Sequence, residues 1–168
     1  MADRPHLELS DYLPYLINRI GAAFVAGYEP ELAPHGVSIA MWRVLAGLST
    51  HGRQRQIDVA ESTSIDVSTM SRLITRLVGL GLVSRTRSDT NNREVSVELT
   101  PKGRALVNRL IPRARELETQ ALAGIPATDL AITRETLRRM YLNMTAGSVP
   151  GGAEASAEAP PRKLAKNG

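Results

Sequence analysis

The chain has 168 residues, of which 42% are hydrophobic and 23% charged, enough for one well-buried core. It contains no cysteine, which excludes disulfides, thiolate metal sites and thiol-based redox sensing. The longest apolar stretches are interrupted by Arg, Glu, Asn or Gly before they reach membrane-spanning length, and Met1 to Pro5 lack the apolar core of a signal peptide, so a cytoplasmic protein without a membrane partner is expected.

The net charge of +4 and the pI near 9.8 suit a polyanionic partner. Placement says more than the total: from Arg53 to Arg93 there are seven arginines (53, 55, 72, 76, 85, 87, 93) against four acids (Asp58, Glu61, Asp66, Asp89).

In chain order, Ser10 or Asp11 can cap a first helix over about 10–28, with Tyr12, Leu13, Leu16, Ile17, Ile20 and Phe24 at spacings of three and four. Pro30, Pro34 and Gly36 are expected to break the chain. Ser38 then starts a second helix, about 38–50, carrying Ile39, Trp42, Leu45 and Leu48 and stopping at Gly52. A third helical segment, Gln54 to Thr63, is expected to turn Ile57, Val59 and Ala60 inward. The turn Ser64 to Val67 leads into a fourth helix with Met70, Leu73, Ile74 and Leu77 on its inner face, ended by Gly79 and Gly81. Leu82–Arg87 and Glu94–Leu99 read as strands, the second by alternation of Val95, Val97 and Leu99 with Glu94, Ser96 and Glu98. Thr100 as cap and Pro101 at the first position open a long helix through Leu106, Val107, Leu110, Ala114, Leu117 and Ala121, with an expected kink at Pro112. After Gly124 and Pro126 comes a last helix with Leu130, Leu137, Met140, Tyr141 and Met144. From Gly147 onward little can be buried, and 147–168 reads as a disordered tail.

Two short helices, two strands and a polar hairpin in this order read as a winged helix-turn-helix, a fold that lays one helix in the DNA major groove. The outer face of the fourth helix carries Ser68, Thr69, Ser71, Arg72, Thr75 and Arg76. The hydroxyls at its amino end can donate to phosphate or base. Arg72 and Arg76, one turn apart, are expected to divide the work, one reading a base and the other a phosphate. Arg53 and Arg55, at the start of the third helix, suit phosphate contacts. In the hairpin, Asn91 and Asn92 flank Arg93, whose guanidinium can enter a narrow minor groove.

From Trp42 to Gly103 the chain resembles the MarR family of bacterial transcriptional regulators. The resemblance rests on Leu73, Arg76 and Leu77 followed by Gly81, Leu82 and Val83, then Arg85, a polar wing ending in Arg93, and Val97, Leu99, Thr100 and Gly103. It implies a mainly α fold with a small β-hairpin wing: a six-helix winged helix-turn-helix in an intertwined homodimer. Residues 1–36 and 101–146 would form the dimerisation part and 37–100 the DNA-binding part. It also implies a pseudo-palindromic operator and, most often, repression relieved by a small molecule. In similar regulators the effector lies between the first, second and long fifth helices and is often an aromatic acid or its coenzyme A thioester; Tyr15, Arg19, His35, Trp42 and Arg43 are the candidates here. The wing departs from the usual family pattern, since Ser88, Asn91 and Asn92 replace most of its charges, so the minor-groove role is carried to Arg93.

Enzymatic chemistry is disfavoured, because His6, His35 and His51 have no metal-ligand spacing and no Gly-rich phosphate loop occurs, and no cofactor is expected. A winged-helix module for protein or RNA contacts, without ligand control, is the alternative, since fold does not fix function. The basic, hydroxyl-rich face of the fourth helix favours duplex DNA.

Overall fold

The computed structural model describes residues 7–87 and 95–146. The six helices are α1 (Leu13–Leu32), α2 (Ile39–His51), α3 (Gln56–Thr63), α4 (Val67–Gly79), α5 (Pro101–Ala121) and α6 (Ala127–Thr145); the strands are β1 (Gln54–Arg55), β2 (Val83–Arg87) and β3 (Val95–Leu99). The chain divides into two compact units, Met1–Ala123 and Gly124–Gly168.

Side-chain caps set three of the six helix starts. The Ser38 hydroxyl accepts from the Met41 N–H (3.3 Å), and Thr100 Oγ1 accepts from the Gly103 N–H (3.0 Å), each satisfying a donor that the first turn leaves open. α1 runs further than its prolines suggest. Pro30 lies inside its last turns, and the helix continues to Leu32 before a single 3₁₀ turn, Ala33–His35, which Gly36 ends in the left-handed conformation (φ 66°). The missing N–H of Pro30 is tolerated because Tyr28 and Leu32, on either side of it, are buried in the core and hold that segment helical.

The first unit packs around Leu32, Met41, Leu45, Ile74, Leu77 and Leu110, all fully buried, with Val83 and Val97 from the sheet. The sheet is antiparallel in the order β1-β3-β2, with Arg85 opposite Val97 and Val83 opposite Leu99. Gln54 and Arg55, expected in the third helix, instead pair with Val97 and Ser96, so α3 begins only at Gln56. Pairing there satisfies backbone groups on the outer edge of β3. Ile57, expected to face inward, is 48% exposed. At 100° per residue it lies almost opposite Val59, and the buried pair Val59 and Ala60 decides which face of α3 turns to the core. Along α1 the apolar row Leu13, Leu16, Ile17 and Ile20 is exposed, and full burial begins at Tyr28.

α5 passes through Pro112 without a break, burying Leu106, Val107 and Leu110. In the second unit α6 buries no residue, and Ile132, Tyr141, Leu142 and Met144 are exposed. Among the described residues no helix is long and apolar enough to cross a membrane. The expected wing tip, with Asn91, Asn92 and Arg93, and the tail from Gly147 lie outside the described residues.

The amino end of α5 is clamped to the turn between α4 and β2. Thr100 Oγ1 donates to the Gly81 carbonyl (2.7 Å), Lys102 Nζ donates to the Leu80 carbonyl (2.8 Å), and the Thr100 N–H donates to Leu82 O (3.1 Å). A Cβ on Gly103 would overlap the Leu82 carbonyl group, which is backbone and cannot step aside. Gly103→Ala should therefore lose about 1–3 kcal/mol, the usual cost of overpacking, or fail to fold. A urea titration showing wild-type stability would contradict this close approach.

Candidate nucleic-acid interface and effector cavity

α4 presents a single polar face. Asp66 caps it: the Thr69 N–H donates to Asp66 Oδ1 (2.8 Å) and the Ser68 hydroxyl donates to the same oxygen (2.6 Å). These donors, the Ser68 hydroxyl first, hold the Asp66 carboxyl well below the usual carboxylate range, so it stays ionised at the positive end of the helix dipole. Met70, Ile74 and Leu77 are buried on the inner face. Ser68, Arg72, Thr75 and Arg76 are exposed and lie within about 100° of one another around the axis, whereas Thr69 and Ser71 flank that face and are half-buried. Arg72 Nη2 donates to Thr69 Oγ1 (3.2 Å), drawing the guanidinium toward the amino end, and Thr75 Oγ1 donates back to Ser71 O (2.9 Å). Arg76 has no side-chain partner among the described residues.

The two arginines before α3 differ. Arg53 is exposed and unpaired among the described residues, whereas Arg55 grips Asp58 through two bonds, Nε to Oδ2 (2.8 Å) and Nη2 to Oδ1 (2.6 Å). That bond holds the Asp58 carboxyl low and offsets the Arg55 charge. The pair stands at i and i+3, a spacing readable in the sequence.

A cavity of about 600 Å³ opens between α1, α2 and α5, bordered by Asn18, Phe24, Val25 and Tyr28, by Ile39, Trp42 and Arg43, and by Ala114 and Leu117. Of the five residues singled out in the sequence, Trp42 and Arg43 border this cavity. The other three candidates do not border it: Arg19 lies over the Tyr15 ring (5.7 Å to its centre), and His35 borders a different pocket. Tyr28 was not anticipated from the sequence. Its ring meets Trp42 edge-on (centroids 5.3 Å apart, 62° between planes) and its hydroxyl donates to the Leu110 carbonyl of α5 (2.8 Å). Scarcity of aromatic residues, 4% of the chain, was the available signal for it.

A model of the MarR family matches residues 37–95. A MarR-family transcriptional regulator from Silicibacter pomeroyi is 33% identical, and the two structures superpose with a TM-score of 0.74 over 83% of this chain and 97% of that one. The chain belongs to the MarR family. As a member it is a ligand-responsive, DNA-binding, homodimeric transcription regulator and not an enzyme. BpsR of Bordetella bronchiseptica, whose DNA binding is regulated by 6-hydroxynicotinic acid, is 27% identical (TM-score 0.71, covering 78% of this chain and 99% of that one). CouR of Rhodococcus jostii RHA1, solved with p-coumaroyl-CoA, is 25% identical (TM-score 0.70, covering 89% and 100%).

Burial, helped by the nearby Glu31 charge, pushes the Tyr28 hydroxyl up to about 12. An unfolded tyrosine ionises near 10, so the contribution of Tyr28 to stability is whole below pH 10 and is lost as pH rises toward 12. Tyr28→Phe should cost about 1 kcal/mol at neutral pH and remove that alkaline loss. Thermal midpoints of both proteins between pH 9 and 12 check it; parallel curves would count against the buried hydroxyl.

Proposed function

We propose that the protein is a repressor that binds a pseudo-palindromic operator as a homodimer and is released by a small aromatic acid or its coenzyme A thioester. One observation carries this reading: Trp42 and Arg43 meet in a cavity whose α2 wall is also packed against α3, α4 and β3. A ring can stack on Trp42 while Arg43 pairs with a carboxylate or a phosphate. The volume of about 600 Å³ falls in the range of small-molecule sites. BpsR and CouR support the ligand class, the first by its free aromatic acid and the second by its acyl thioester.

On the DNA side, residues 37–100 would read the operator, with 1–36 and 101–146 forming the dimer. The exposed apolar row of α1, Leu13, Leu16, Ile17 and Ile20, supports burial against a second copy. Two reading heads on one face of B-DNA stand about 34 Å apart, one helical turn, so a small change in head spacing releases both. A tenfold loss of affinity needs only about 1.4 kcal/mol of coupling between ligand and DNA.

Within each head, Arg72 is drawn toward the end of α4 that enters the groove and is assigned the base contact, while Arg76, one turn back, takes a phosphate. Ser68, Thr69, Ser71 and Thr75 supply hydroxyl contacts, and Arg53 supplies a phosphate contact. Arg55, already bonded to Asp58, contributes less. Arg93, with Asn91 and Asn92 beside it, is assigned to the minor groove.

A mobility shift with the region upstream of the protein's own gene tests the whole reading; no shift at low salt, or equal binding to RNA, would reject it. Arg72→Ala should lose about 1–3 kcal/mol of discrimination at one operator position, whereas Arg76→Ala should weaken all sequences alike and lower the salt slope by about one. Equal losses for both variants on every sequence would withdraw base reading from Arg72. For the effector, an aromatic acid should quench the single tryptophan saturably, and Arg43→Gln should weaken that binding about tenfold. A saturable response untouched by Arg43→Gln would move the carboxylate contact elsewhere.

A further inference from the structure

A second pocket, of about 280 Å³, lies where the 3₁₀ turn after α1, the end of α4 and the beginning of α5 meet. It is bordered by His35, Lys102 and Arg109 on one side of its chemistry and by Leu80, Leu82 and Leu106 on the other. It shares no residue with the cavity at Trp42, and on α5 its lining ends at Arg109, five residues before Ala114 of that cavity's wall, roughly 7.5 Å along the helix axis.

Three nitrogen-bearing side chains border the pocket and no carboxylate does. Arg109 and His35 have no side-chain partner among the described residues, and Lys102 uses one of its three donors on the Leu80 carbonyl. Lys102 and Arg109 are exposed, so their remaining donors face solvent and are open to an incoming anion. The amino end of α4 with its exposed hydroxyls lies about a helix length away from Leu80, roughly 18 Å, so the operator contacts proposed for that end are not what this pocket serves. The three leucines add an apolar wall that a hydrated inorganic ion would leave unused.

We propose that this pocket is a separate site for a small amphipathic carboxylate, whose head pairs with Arg109 and Lys102 and whose apolar body lies on Leu80, Leu82 and Leu106. Arg109 offers paired donors that match a carboxylate, and the pocket, under half the size of the first cavity, accepts one ring or a short chain but not an acyl thioester. A head group there competes with the Leu80 carbonyl for Lys102 and so loosens the clamp between α5 and α4. The site itself does not depend on the regulatory reading; only this coupling does.

Benzoate is the probe, with binding to the full chain followed by calorimetry at constant ionic strength, chloride and inorganic phosphate serving as comparisons. Wild type should show two sites. Arg43→Gln should lose the one at Trp42 and keep the other, and Arg109→Gln, which breaks no side-chain hydrogen bond or ion pair among the described residues, should weaken the other about tenfold. If Arg109→Gln leaves all benzoate binding unchanged, or if chloride or phosphate competes as well as benzoate, the second site is wrong. If Arg43→Gln changes nothing while Arg109→Gln abolishes binding, the second site stands and the effector cavity proposed above fails instead. In the Arg43→Gln protein benzoate should still shift DNA affinity severalfold, and no shift despite retained binding would overturn the coupling through Lys102.

Discussion

The backbone of Leu82 occupies the space that a side chain at position 103 would need, and the rest of the structure is arranged around that close approach. Because α5 starts there, Thr100 can both cap its own helix and bond the Gly81 carbonyl, and Lys102 can reach the end of α4. The same helix, four turns later, supplies Ala114 and Leu117 to the cavity at Trp42. One rigid element therefore touches both the cavity at Trp42 and the turn that follows α4. Close-packed interfaces pass displacements on because they have no slack to absorb them.

α2 provides the second connection. Its buried residues Met41, Val44, Leu45 and Leu48 pack into the core beside α3, α4 and β3, while Trp42 and Arg43 on another face border the cavity. Tyr28 joins the two routes, since its ring touches Trp42 and its hydroxyl is bonded to α5 at Leu110. A ligand that displaces Trp42 must disturb that contact, and its effect needs only a small difference in affinity between two arrangements of the helices.

Charge is distributed with similar economy. The central segment carries a formal excess of three positive charges, seven arginines less four acids from Arg53 to Arg93, but the fold does not leave all of them free. Arg55 is compensated by Asp58, and Asp66 is engaged by the hydroxyl and amide of its own helix, where it stabilises the dipole instead of neutralising an arginine. The exposed face of α4 thus keeps Arg72 and Arg76 beside neutral hydroxyls, a surface suited to hydrogen-bonding base edges and phosphates.

Much of this was legible in the sequence because its causes are local. Ser38, Thr100 and Pro101 announce helix starts through atoms within one turn, and the spacing of Met70, Ile74 and Leu77 fixes the inner face of α4. Where the deciding partners are not neighbours along the chain, structure and sequence pattern part. Pro30 stayed helical because core burial outweighed a missing N–H, Gln54 and Arg55 joined a strand some forty residues away, and Ile57 yielded the core to Val59 and Ala60. Sequence by itself determined the order of the six helices, the Ser38 and Thr100 caps and the polar face of α4. Only the tertiary structure decided that Tyr28 meets Trp42 and that His35 belongs with Lys102 and Arg109, because those environments are made by side chains brought together across the fold.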